Sequence, residues 1–175
     1  SRGDIIVEFH EFKDSILNFL KGLKNNSARY NGFNLLAGDC YNQYWFSNQT
    51  REIIPVPPGI HGISNHLMDT PWPKVITGKK ALSNAIDTNT LNPETLFELL
   101  SDSSVPGDAR LPDTGVGLEW ERLLSPLFIK SPSYGTRSSI AMGITPQREI
   151  QVTERTYLPD KILPHKDRYF SLFPG

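Results

Sequence analysis

The sequence has little of what usually gives function away. It holds one cysteine, Cys40, so no disulfide can form within the chain and a reducing compartment fits best. Cys40 follows Asp39, and a neighbouring carboxylate raises rather than lowers a thiol pKa, which suits a small turn residue better than a reactive thiolate. No apolar run approaches the roughly 20 residues needed to cross a bilayer, so no transmembrane segment is expected. There is no basic excess either: 18 Lys and Arg stand against 19 Asp and Glu. Lys79-Lys80 and the scattered Lys161, Lys166 and Arg168 read as solvated faces, which argues against a nucleic-acid partner. The opening Ser1-Arg2-Gly3-Asp4 carries no initiator Met, no basic-then-apolar leader and no cleavage pattern, so the chain is expected to be part of a longer one.

What the chain does have is punctuation. With 14 Pro and 13 Gly in 175 residues, short elements joined by turns are expected. Asp4 can cap a helix carrying Ile5, Ile6 and Phe9; Asp14 or Ser15 can cap a clearer one with Ile16, Leu17, Leu20 and Leu23 at helical spacing. After Asn31-Gly32 the period changes. Phe33 to Gly38, Tyr44-Trp45-Phe46 and Ile53-Ile54-Pro55-Val56 read as an antiparallel meander, Pro55 favouring an edge or a strand end. Trp72 to about Ile86 is the best later helix, with Val75, Ile76, Lys79 and Leu82 on one side. Pro93 suits the first position of another, whose stripe is Leu96, Phe97, Leu99 and Leu100. Residues 101–117 read as loop and 118–124 as a short helix. Leu127-Phe128-Ile129, Ser138 to Ile144 and Ile150 to Arg155 read as strands, and the tail from Pro159 has no clear pattern. Helix, meander, helices, strands make an α+β layered fold.

Chemistry-bearing residues form few convincing groups. Gly62-Ile63-Ser64-Asn65-His66 fails the last position of a nucleophile elbow. Ser64, His66 and Asp69 are too local for a triad, whose members assemble from distant segments. His61 and His66 are five apart with no third ligand in view, so no metal site is expected. Asn48-Gln49-Thr50 fits the glycosylation acceptor pattern, which matters only in a secreted protein. Two corners remain. Asn65 precedes a helix that Asp69 or Thr70 could cap, with Pro71 at its first position; Asn65 is then either a turn residue or a free amide able to donate to an oxyanion. Arg137, in Ser133-Tyr134-Gly135-Thr136-Arg137-Ser138, either pairs with a surface acid or clamps a carboxylate.

Six stretches fall in an order that resembles one family. They are Ser1-Arg2-Gly3-Asp4, Tyr30-Asn31-Gly32-Phe33-Asn34-Leu35, Gly62-Ile63-Ser64-Asn65 with Thr70-Pro71-Trp72-Pro73-Lys74, Leu111-Pro112-Asp113, Tyr134-Gly135-Thr136-Arg137-Ser138 and Thr153-Glu154-Arg155. The chain is similar over essentially its whole length to the NRDE family, which contains the transport and Golgi organisation 2 proteins. The family's Asn-Arg-Asp-Glu stretch and the Cys near it are not in this sequence, so residues 1–175 are expected to be the C-terminal part of one incomplete domain.

The resemblance implies the C-terminal part of an αββα sandwich like that of N-terminal-nucleophile hydrolases. It gives Asn65 and Arg137 supporting catalytic roles beside a nucleophile that this chain lacks. It also implies a pocket for a small hydrophobic or acyl ligand, with Trp72, Tyr134 and Thr136 binding it and Arg137 matching an anionic head. Golgi organisation, secretion, and haem or acyl-lipid handling in the cytoplasm, at the Golgi or at mitochondria, are the implied settings. No cofactor is implied, haem entering only as a transported ligand. An amidohydrolase of the full-length protein is the rival reading, and an inactive product the third. Losing strands from such a sandwich exposes pairing edges, so self-association or poor stability is expected.

Overall fold

Five α-helices and two antiparallel three-stranded sheets make up the computed structural model, which describes residues 1–39, 41–158 and 164–173. The readings of Cys40 and Lys161 fall outside those residues. The elements run α1 (Asp4–Glu11), α2 (Ile16–Asn26), β1 (Asn34–Gly38), β2 (Gln43–Ser47), β3 (Glu52–Pro55), α3 (Pro73–Asp87), α4 (Pro93–Leu100), α5 (Leu118–Leu124), β4 (Ser138–Ile144), β5 (Ile150–Tyr157) and β6 (His165–Leu172). The class is α+β. The chain divides into two compact units, Ser1–Thr70 and Pro71–Gly175.

In the first unit, Ser15 is the residue that caps α2: its hydroxyl accepts from the Asn18 N–H at 3.3 Å. Asp14 supports that corner instead, accepting from the Ser15 amide and the Asn18 side chain. Asp4 does not cap α1. Gly3 holds the cap position, and Asp4 is the first helical residue, where a carboxylate still complements the positive end of the helix. Helix α2 turns Phe19, Leu20 and Leu23 inward, and they meet Ile5 of α1 and Ala37 and Phe46 of the sheet. The expected meander forms in the order β1-β2-β3, and its register puts Leu35, Phe46 and Ile53 side by side on the face that α2 covers. Edge-to-face rings tie the layers together: Phe9 on Phe19 at 5.0 Å, Phe12 on Phe19 at 5.4 Å and Tyr30 on Phe33 at 5.9 Å. Phe46 and Leu20 are fully enclosed, so truncating either to Ala would cost about 3–5 kcal/mol.

In the second unit, α3 begins at Pro73, one residue later than the sequence suggests. Trp72 occupies the cap position, where its side chain does not cap the helix, and Pro73, not Pro71, is the first helical residue. The buried face of α3 is Val75 and Ala85, while Ile76 is 55% exposed. Helix α4 follows the expected start: Asn92 accepts from Thr95 N–H at 3.0 Å and Pro93 stands first. Phe97 is its buried anchor.

Strands β4 and β5 lie where the alternating pattern put them, paired from Ser138↔Thr156 to Ile144↔Ile150. Two expectations fail. Leu127-Phe128-Ile129 is not a strand: the Phe128 N–H donates to the Asp102 carbonyl, and Ile129 exchanges bonds with Thr136, so neither enters a ladder. The unpatterned tail does form one, β6, paired with β5 from Tyr157↔His165 to Ile150↔Leu172.

Candidate functional site

The corner that carries Asn65 is held in place from both ends. The Asp69 N–H donates to the Gly62 carbonyl at 2.7 Å, and the Gly62 N–H donates back to the Asp69 carboxylate at 2.9 Å. Residues 62–69 thus form a closed loop. Asp69 sits at φ 59° to do this, a left-handed conformation that Asp tolerates better than most side chains. Its other carboxylate oxygen lies 2.6 Å from His61 Nδ1, and His61 Nε2–H donates to the Pro57 carbonyl at 3.0 Å. His66 meets the Thr70 hydroxyl at 2.8 Å. Asp69 and Thr70 therefore brace the loop and do not cap the helix after it.

Asn34, at the start of β1, pins the same loop to the sheet. Its amide donates to the carbonyls of Ser64 at 3.4 Å and His66 at 2.9 Å, and its oxygen accepts from the Trp45 indole at 3.2 Å. With the backbone on both sides fixed, the Asn65 side chain is left exposed and makes no hydrogen bond among the described residues. An amide presented in this way is free to meet a ligand.

It faces a pocket of about 610 Å³ within the first unit. Arg2 comes from the N-terminal turn, Gly32 to Leu35 from the entry to β1, and Ile63, Ser64 and Asn65 from the closed loop; Ile5, Ile6 and Gln49 complete the lining. Three of the six stretches that carry the family resemblance meet here. Arg2 is oriented by a bond from its guanidinium to the Gly32 carbonyl at 3.3 Å. The lining has apolar side chains, amides, one hydroxyl and one cation, but no His, Asp, Glu, Lys or Cys. A set like that can enclose an apolar body and hydrogen-bond a polar head.

The other expected site residues lie in the second unit. Trp72 stands at the start of α3 with the Lys74 ammonium 5.9 Å from its ring. Tyr134 is half exposed and packs edge-to-face on Trp120 at 6.4 Å. The Thr136 hydroxyl accepts from Ile129 N–H and its own N–H donates to the Ile129 carbonyl, both at 3.0 Å. The Arg137 side chain is exposed, and its carbonyl accepts from Tyr157 N–H.

The buried arginine of the late strands is a different one, Arg155. Only 8% exposed, it forms two-pronged pairs with Asp167 at 2.9 and 2.8 Å and with Glu94 at 3.0 and 2.7 Å, and it lies over the Phe97 ring. The two carboxylates, Asp167 foremost, hold its guanidinium above the ordinary arginine range, while its hydrogen bonds pull both carboxyls below theirs. With every fork occupied, Arg155 fastens α4 to β5 and β6.

Sequence reasoning did not single out Arg155, nor Arg2, Asn34 and Gln49 at the first pocket. The one signal for Arg155 was its place in Thr153-Glu154-Arg155. Asn48 changes meaning as well. Its amide nitrogen, which a glycan would occupy, donates to the carbonyls of Ser27, Tyr30 and Asn31, while its oxygen accepts from Phe33 N–H.

Fold and pocket together define an α+β protein with an open cavity of mixed apolar and amide lining in its first unit. Residues 1–159 match the family described as Transport and Golgi organisation 2, and the chain belongs to that family. It is 28% identical over 175 residues to the Transport and Golgi organization protein 2 homolog of Bos taurus, covering 90% of this chain and 62% of that protein. Against the homolog of Homo sapiens the identity is 28% over 178 residues, covering 94% and 64%. The chain thus spans less than two thirds of the length of these relatives. Among the described residues no helix is long and apolar enough to cross a membrane.

Proposed function

We propose that this chain supplies the ligand pocket of a trafficking and homeostasis protein, taking up a small hydrophobic or acyl molecule, haem among the candidates, without transforming it. The observation that carries the reading is the convergence of Arg2, Gly32 to Leu35 and Ile63 to Asn65 on one cavity of about 610 Å³. That volume lies within the range of sites for ligands of drug or cofactor size. Ile5, Ile6, Phe33, Leu35 and Ile63 suit an apolar body, and Asn65 and Arg2 suit an anionic or carbonyl head. Transport and Golgi organisation, in the name of the relatives, fits a protein that carries such a ligand through the cytoplasm, at the Golgi or at mitochondria. An αββα sandwich of the N-terminal-nucleophile type would place the same pocket between sheet and helix.

The hydrolase reading draws on one observation, the unbonded Asn65 amide, which could donate to an oxyanion. It also requires a nucleophile and a base, and the described lining offers one hydroxyl, Ser64, and no base, whereas its apolar side chains and amides suit binding.

Titration of the chain with a fluorescent long-chain fatty acid, and separately with haemin, tests the proposal. Saturable binding of one of them is expected, weakened about three- to tenfold by Asn65→Ala, the worth of one hydrogen bond, and further by Ile63→Ser. Tyr134→Ala, in the other unit, should leave it unchanged. No saturable binding, or binding indifferent to both pocket substitutions, would sink the idea.

A further inference from the structure

A small cavity of about 150 Å³ lies within the second unit beside the first turn of α3, well apart in sequence from the pocket described above. Lys74 and Thr77 reach it from α3, Ser104 and Arg110 from the loop before α5, and Ser125 from just after α5. The Lys74 ammonium donates to the Leu124 carbonyl at 2.7 Å, the one acceptor it has among the described residues. Glu121, the carboxylate whose charge acts on it, is buried and accepts from the Thr114 N–H and hydroxyl at 2.7 and 2.6 Å. Burial accordingly pushes the Lys74 pKa below the ordinary lysine value, with Glu121 only partly offsetting it. A cation so placed is short of counter-charge.

Arg110 makes no ion pair among the described residues, and the hydroxyls of Thr77 and Ser104 have no partner among them. The Ser125 hydroxyl donates to Arg122 O at 2.8 Å, leaving its oxygen to accept. One carboxylate, Asp102, is also in the wall, accepting from Ser104 N–H at 2.9 Å. Of the charged residues in the cavity's wall, two are cations and one is an anion. Its volume is below the roughly 300–1,000 Å³ of sites for drug-sized ligands, so it fits a group of a few heavy atoms.

We propose that this cavity binds a tetrahedral oxyanion, free phosphate or the head of a phosphomonoester, held by Lys74 and Arg110 with donation from the Thr77 and Ser104 hydroxyls. Such a ligand supplies counter-charge to the part-buried Lys74 ammonium, while the exposed Arg110 guanidinium and Thr77 and Ser104 hydroxyls are able to donate to it. The ligand pocket of the first unit plays no part in it.

The test is a titration with inorganic phosphate at constant ionic strength, followed by thermal unfolding and by phosphorus NMR line width. A parallel arm measures co-sedimentation with phosphatidylcholine vesicles with and without phosphatidic acid. Phosphate is expected to raise Tm and broaden the line, both effects falling about tenfold or more in apparent affinity in Arg110→Gln and in Lys74→Met. Arg110 is exposed, so its variant reports on binding even if Lys74→Met unfolds. Response to phosphate alone supports a free oxyanion, and an added, phosphatidic-acid-dependent response that both substitutions remove supports a lipid head. No response in either arm, or a response unchanged by Arg110→Gln, overturns the site.

Discussion

Arg155 stands at the centre of a charged cluster in the second unit, and its geometry sets how that cluster responds to acid. Its guanidinium satisfies two carboxylates at once, Asp167 in the facing register position of β6 and Glu94 in the first turn of α4. Both carboxyl pKa values are lowered by the hydrogen bonds it donates. A depressed folded-state pKa means the stabilisation is complete above the ordinary carboxylate value and disappears as pH falls through the lowered one. Neutral to mildly acidic solutions should therefore leave the unit intact, and loss should begin only below the ordinary carboxylate range. Glu94 is largely exposed, so solvent screens its share, and Asp167 should dominate. Lysine cannot reproduce two planar forks. Arg155→Lys is expected to cost about 2–3 kcal/mol at neutral pH and to flatten the acid limb, read by urea unfolding at a series of pH values. An unchanged acid limb would show that the clamp is not what titrates.

Elements form here where local pattern and tertiary demand agree, and the β1–β2 hairpin is the clearest instance. Gly38 pairs with Gln43 at its end, and a Cβ there would stand 2.7 Å from the Asn42 carbonyl and from the Gln43 side chain. Backbone cannot yield that distance cheaply. Gly38→Ala should destabilise the first unit by about 1–3 kcal/mol, the usual cost of overpacking, with the loss confined to slowed or weakened amide protection in β1 and β2. Full protection in the variant would mean the turn has another way to close. The meander and strands β4 and β5 were legible because their apolar residues alternate, and the start of α4 because Pro93 suits the first helical position. Strand β6 was not. Its inward positions include Asp167, drawn in by Arg155, while Phe170 and Leu172 point out, inverting the usual code. Residues 127–129 misled in the opposite way: Phe128 is buried against the Tyr157 ring at 4.6 Å, so its apolarity served a loop. Asn65 could be suspected from its place before a helix. The rest of its pocket could not, because Arg2, Gln49 and Ile63 come together only when the first unit folds.

Across the whole molecule, the feature with the broadest consequence is the outer face of the second sheet. Its register aligns Met142, Val152 and Phe170 in one row and Ile144, Ile150 and Leu172 in the next. Helix α4 packs by way of Arg155 and Phe97 on the opposite side, whereas Ile140, Met142, Phe170 and Leu172 are 60%, 63%, 50% and 57% exposed. Contiguous apolar surface of that kind exceeds the single exposed residues normal for a monomer. Both outer strands, β4 and β6, also lie at the sheet's margins, and β4 has no charged residue to blunt its edge. Together these favour face-to-face or edge-to-edge association of copies of the chain in solution. Sedimentation velocity over a concentration series should then show reversible or progressive association. Met142→Lys combined with Phe170→Lys should shift it toward monomer with the circular dichroism unchanged, since both side chains already meet solvent. Ile76→Lys, an equally exposed apolar position on α3, serves as the control and should leave association as it was. A chain that stays monomeric and unfolds cooperatively at every concentration would show that this face is tolerated bare, and the expectation of self-association would fall with it.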